Sequence, residues 1–195
     1  MVGDNTDISG VYSGACAYSA FTDYMGNCGT GNSVGVGGNG VTAAMSYAFD
    51  SGFSLAGGIS STPTSILTEE GSDTFGIEAA YTADSYGVAV AYADAESTTY
   101  WGINGMYAFD FATLSAGLES QDDGTEATGF FVGLSFADVG AGSLDVGMGT
   151  TGNFADADTE YYIYEASYAY PVNDGMTITP GVFIREGTTA VSYTH

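Results

Sequence analysis

The sequence predicts an all-β fold, an antiparallel up-and-down transmembrane β-barrel with about 10–12 strands in this chain. Three observations carry this expectation. Large apolar and very small residues alternate with a period of two in segment after segment. Apart from a single arginine, neither face of these segments carries the Lys, Arg or Gln that a half-soluble strand turns to water. Tight turns also alternate with longer connections, the asymmetry of hairpins that run up and down between two planes.

Residues 86–92, YGVAVAY, show the pattern at its plainest. Tyr86, Val88, Val90 and Tyr92 share one face, and Gly87, Ala89, Ala91 and Ala93 share the other. From residue 40 the same division recurs in order. VTAAMSYAF sets Val41, Ala43, Met45, Tyr47 and Phe49 against Thr42, Ala44, Ser46 and Ala48. FSLAGGIS, TFGIEAAYT and YWGINGMYAF follow it, and FATLSAGLES, GFFVGLSFA, SLDVGMGT, YYIYEASYAY and TITPGVFIR continue it. DISGVYSGACAYSA and TTAVSYT are candidates for further strands. The chain therefore divides into a Gly- and Cys-containing segment, 1–39, with a first strand and loop, and barrel strands over 40–195. Short turns fall at 50–52, 84–85, Asp110 and 171–175, and longer acidic or Ser/Thr-rich loops at 61–72, 121–126 and 151–158. The connection at 95–98 is short although it lies on the long-loop side.

Aromatic residues gather near the segment ends, where a membrane's headgroup zone suits a dry ring with a wet handle. Tyr47, Phe49, Tyr81, Tyr86, Tyr92, Trp101, Tyr107, Phe109, Phe130 and Phe136 are the expected lipid-facing girdle. The strand carboxylates Glu78, Glu119, Asp145 and Glu165 fall instead on the small-residue face, as does Arg185. They are the expected pore lining, because a charge on the lipid face near mid-bilayer costs up to about 4 kcal/mol.

The chain holds 24 acidic residues against one Lys or Arg, a formal charge of −23. That balance argues against nucleic acid as a partner, since phosphates are neutralised by Lys and Arg, and favours cations. A hydrophobic content of 45% separates the chain from disordered acidic tails. Cys16 and Cys28 bracket eleven residues, a spacing that leaves both a local disulfide and two free thiols open. Two cysteines and the terminal His195 make no zinc-like cluster, and no catalytic constellation is expected. Asp122 and Asp123 in QDDGTEA, and Asp156 and Asp158 in DADTE, are weak candidates for a divalent cation such as calcium, more simply read as solvated turns. DADTE lacks the glycine and the closing glutamate of an EF-hand loop, and GVGGNG at 35–40 reads as a turn or inward-folded loop. MVGDNTDIS has neither the basic nor the apolar part of a signal peptide, as expected of a mature form or a fragment.

TGFFVGLSFADVGAGSLDVGMGTTGNF and YIYEASYAYPVNDGMTITPGVFI resemble the C-terminal barrel strands of cyanobacterial outer-membrane porins of the carbohydrate-selective family. NGVTAAMSYAFDSGFSLAGGIS and YTADSYGVAVAYA resemble the preceding hairpins, so that the likeness covers residues 33–185. It implies a trimeric sixteen-stranded barrel in the outer membrane that passes ions and small solutes. Such porins carry an N-terminal surface-layer-homology domain and end in Phe, whereas this chain shows no such domain, holds fewer strands and ends VSYTH. The expected function is therefore a cation-preferring channel for passive diffusion. The alternative is an acidic surface or secreted β-rich structural protein, or a porin fragment that assembles through its sheet edges.

Overall fold

The computed structural model describes residues 1–4, 7–22, 24–25, 41–61, 73–95, 97–151, 161–186 and, as backbone, 191–194. The strands are β1 (Val2–Asp4), β2 (Val41–Ala48), β3 (Phe53–Ser61), β4 (Asp73–Thr82), β5 (Tyr86–Ala95), β6 (Thr98–Ala108) and β7 (Thr113–Asp122). They continue as β8 (Glu126–Val139), β9 (Gly142–Thr150), β10 (Tyr162–Asn173), β11 (Met176–Ile178), β12 (Pro180–Arg185) and β13 (Val191–Thr194). Each pairs antiparallel with its neighbour in the order β1 to β10, then β12 and β13, twelve positions in one meandering sheet. β11 and β12 both pair with β10 and share one position, interrupted at Thr179 just before Pro180, which has no N–H to give a ladder. Among the described residues no ladder joins β1 to β13.

Five connections at one end are tight: 49–52, 83–85, 109–112, 140–141 and 174–175. At Gly52 φ is +84°, and an added Cβ would run into the Thr82 carbonyl. The acidic stretch 121–126, expected as a long loop, is a tight turn as well. Asp122 pairs with Glu126 across it, Gly124 adopts φ +100°, and Asp122 Oδ1 accepts from the Gly124 N–H at 2.9 Å. Asp–Asp–Gly supplies a self-bonding carboxylate and a left-handed residue, which is turn chemistry rather than loop length.

Alternation sorts the side chains to two surfaces. Along β5 every outward residue from Tyr86 to Tyr92 is exposed and every residue between is buried. Met45 (73%), Ile77 (54%), Val90 (50%) and Ile184 (54%) belong to an outward surface that is apolar from β2 to β12. Burying large apolar side chains is a main gain in water, so leaving this many exposed fits a sheet whose outer solvent is hydrocarbon.

The opposite surface is covered by the chain's own N-terminal part. DISGVYSGACAYSA is not a strand: it forms a 3-10 turn at Ile8–Val11 and then an irregular strap lying against the inner face. The turn packs on β2, β3 and β4. Ala15 lies over Gly87 of β5, the Tyr18 ring over Gly133 of β8 and Gly147 of β9, and the Phe21 ring over Gly181 of β12. Ala15 and Phe21 are six residues apart, at most about 20 Å of extended chain. The six strand spacings from β5 to β12, laid flat, would measure about 29 Å. The contacts exist only because the sheet curls around the strap, as a barrel wall does.

Val90→Arg places a charge at the middle of the outward face and is expected to lower folding stability in bilayers by about 2–4 kcal/mol, with Val90→Leu near zero. Urea titration in lipid vesicles measures both. Equal stabilities would contradict the assignment of that face.

Candidate functional site

The inner face carries every sequence-predicted luminal charge. Glu78 lies opposite Ala56 and Ala91, Glu119 opposite Gly102 and Gly129, and Glu165 opposite Gly147 and Phe183. All three glutamates are buried. Asp145, half-buried, stands between Ser135 and Ser167, and Arg185 stands opposite Ile163 with its guanidinium 4.9 Å from the Tyr24 ring centre. Small neighbours explain the placement: they leave room for a carboxylate and for whatever approaches it.

What approaches is the strap. The Ser13 N–H donates to Glu78 Oε1 at 2.6 Å, and the Ser54 hydroxyl donates to the Ser13 hydroxyl at 3.0 Å. The N–H groups of Ala17 and Tyr18 both donate to Ser115 Oγ at 3.2 Å. Glu165 accepts the Tyr18 hydroxyl at 2.8 Å and the Phe21 N–H at 2.6 Å on Oε1, and the Thr22 N–H at 3.1 Å and hydroxyl at 2.9 Å on Oε2. Burial, and then the Glu165 carboxylate, hold the Tyr18 phenol far above its ordinary range, so it remains a donor. A short segment without a ladder must satisfy its backbone groups on side chains, and these carboxylates and hydroxyls do so.

Under the strap the inner face is not uniformly small. Phe131, Ile163 and Phe183 form a buried apolar pad with Tyr18 and Met25, and Cys16, itself disulfide-bonded, packs against it. Tyr18 stacks on Phe131 with ring centres 6.4 Å apart. Sequence reading missed both strap and pad. The signal was present in parity: Phe131, Ile163 and Phe183 share the face of Gly133, Gly147 and Gly181, so large residues alternate there with an empty floor.

On the outer face, Tyr47 meets Phe49, Tyr81 meets Tyr86 and Tyr107 meets Phe109 near the tight turns. Phe75 meets Tyr92, and Phe130 meets Tyr162, toward the other end. Trp101 and Tyr107 lie about 20 Å apart along β6. Trp101 stands beside Tyr92 on the outer surface, and Phe136, half-buried, pairs with Leu144. Asp123 Oδ1 accepts the Thr125 N–H at 3.2 Å, so both aspartates of the β7–β8 turn are engaged by their own turn. Among the described residues no group of three His, Cys, Asp or Glu converges as a metal site. Cys28, Asp156, Asp158, His195 and the GVGGNG run lie outside the described residues.

The family described as Gram-negative porin matches residues 2–183. No curated protein matches the chain. Two solved structures of engineered variants of the Rh. blastica porin superpose with TM-scores of 0.60 at 20% identity, each covering 79% of this chain. The chain spans about half of their length, 53%. A KdgM porin in complex with disordered oligogalacturonate superposes at a TM-score of 0.38 and 8% identity over 75% of this chain and 84% of its own, too distant to carry an argument. The nearer likeness is one of fold, and it agrees with the curled antiparallel meander.

Gly133→Ala sets a methyl group into the Tyr18 ring and is expected to cost about 1–3 kcal/mol. Gly14→Ala meets open space and is expected to change little. Denaturant midpoints in detergent micelles compare the two, and equal midpoints would place Tyr18 elsewhere.

Proposed function

Because the chain belongs to the Gram-negative porin family, we propose that it contributes the wall and the constriction of an outer-membrane channel for passive diffusion of ions and small hydrophilic solutes. The division of the sheet into an apolar outer surface and an inner surface holding its mid-strand carboxylates supports this reading most. The outer surface suits lipid, and the inner surface suits water and solutes. The strap, residues 7–22, crosses that inner surface and narrows the route, so solute size is limited where it lies. Diffusion of this kind needs no catalytic group and no cofactor.

Charge supports cation preference. A formal charge of −23, with Asp145 and Glu119 on the inner face, gives the lumen and its mouths a negative potential that concentrates cations and depletes anions. Divalent cations such as calcium would gather at the same carboxylates. The resemblance of YEASYAYPVNDGMTITPGV to cyanobacterial carbohydrate-selective porins supports small sugars among the solutes, and a trimeric assembly of such channels.

Planar-bilayer recordings under asymmetric KCl test the reading. Cation-selective steps are expected, with selectivity declining from 0.1 M to 1 M salt as the Debye length shrinks from about 10 Å to about 3 Å. The Glu119→Gln, Asp145→Asn double variant is expected to be less selective. Anion selectivity would contradict the charge argument, and inserted protein that never conducts would contradict the channel.

A further inference from the structure

We infer that Glu165 is the positioning residue that latches the strap across the lumen, and that its hold on Tyr18, Phe21 and Thr22 sets the calibre of the channel. The first half stands on the contacts alone; the second rests on the channel reading above.

A carboxylate offers about four lone-pair sites, and Glu165 fills them with four donors drawn from one five-residue stretch of strap, Tyr18 to Thr22. The residue is 5% exposed, so water does not compete for those sites. The other strap bonds named above are more scattered: the Ser13 N–H to Glu78, the Ser54 hydroxyl to Ser13, and two long bonds shared on the Ser115 hydroxyl. The Glu165 bonds are also aimed where the strap presents its largest side chains, Tyr18 and Phe21. Both rings rest on glycines. Glycine floors provide space but no directional hold. Direction comes from the carboxylate, whose position on β10 between β9 and β12 is fixed by ladders on both sides. Thus Glu165 differs in role from Asp145, which lies on the same face next to it on β9 and makes no such set of bonds to the strap.

The role predicts an asymmetry that charge alone would not produce. Glu165→Gln keeps size and shape but turns one acceptor oxygen into an NH2 donor. In either amide orientation one backbone N–H, that of Phe21 or that of Thr22, then faces a donor, while the hydroxyl that shared its oxygen can turn to accept. Tyr18→Phe removes one bond and leaves the ring over Gly133 and Gly147. Asp145→Asn removes a luminal charge that bears on the Tyr18 phenol only through space, and removes none of the four bonds.

Hydrogen exchange of the full chain in micelles, read at backbone amides, tests the latch without reference to transport. For Glu165→Gln, exchange at Phe21 and Thr22 is expected to rise about thirtyfold, as one lost charge-assisted bond and a neutralised acceptor imply. The β5–β9 strand amides should be unchanged. Tyr18→Phe should give about tenfold at the same amides, and it decides the question if Glu165→Gln does not fold. Asp145→Asn should leave them as in wild type. In bilayer recordings Glu165→Gln should then raise mean single-channel conductance and add fast flicker, whereas Asp145→Asn should lower cation selectivity at unchanged conductance. Unchanged strap exchange in Glu165→Gln or in Tyr18→Phe overturns the latch. Raised exchange with unchanged conductance overturns the link to calibre. Absence of conductance in every variant overturns the channel reading, and leaves the exchange result to decide the latch.

Discussion

A backbone facing hydrocarbon has no water to bond, so each of its N–H and C=O groups must find a partner in the protein. The remaining features of this chain follow from that constraint. An unbroken antiparallel ladder from β2 to β10 meets it for the central strands, with interruptions confined to the ends. Lipid on one side also dictates which side chains can stand there. Tyr47, Leu55, Ile77, Val90 and Ile103 do, and the mid-strand carboxylates Glu78, Glu119, Asp145 and Glu165 do not. The polar groups of the mid-strand wall are thereby moved to the concave face, and outward aspartates such as Asp94 stand at strand ends.

That face would be oversupplied with buried charge if nothing lay against it, because a carboxylate taken from water must be compensated. For Glu78 and Glu165 the strap supplies the compensation, as backbone N–H groups and hydroxyls rather than cations. The composition allows little else: one Lys or Arg in the whole chain cannot neutralise four luminal carboxylates. Gly133, Gly147 and Gly181 have a second role here. They weaken a strand by leaving the backbone unguarded, and they recover that cost by letting Tyr18 and Phe21 approach the sheet closely enough for Glu165 to bond their segment.

The wall was legible in the sequence because a period of two is imposed locally. YGVAVAY states its own facing, and Val88 and Val90 lie outward as the alternation requires. The facing of Glu78, Glu119 and Glu165 was legible for the same reason. The strap was not. DISGVYSGACAYSA alternates Val, Tyr and Ala as a strand would, and what prevents a ladder is tertiary: its N–H groups bond to Glu78 and Ser115, far away in the chain. Local pattern carries no record of such partners. The acidic 121–126 stretch misled differently. Its charge suggested a solvated loop, whereas Asp122 and Gly124 together close a compact turn.

The central claim is that the apolar face meets lipid, and the single tryptophan reports on it directly. Trp101 lies on that face, 42% exposed, beside Tyr92. In vesicles made with lipids brominated along the acyl chain, its fluorescence is expected to be strongly quenched, while aqueous iodide has little effect. Quenching by iodide with no response to brominated lipid would show a water-facing surface and contradict the account.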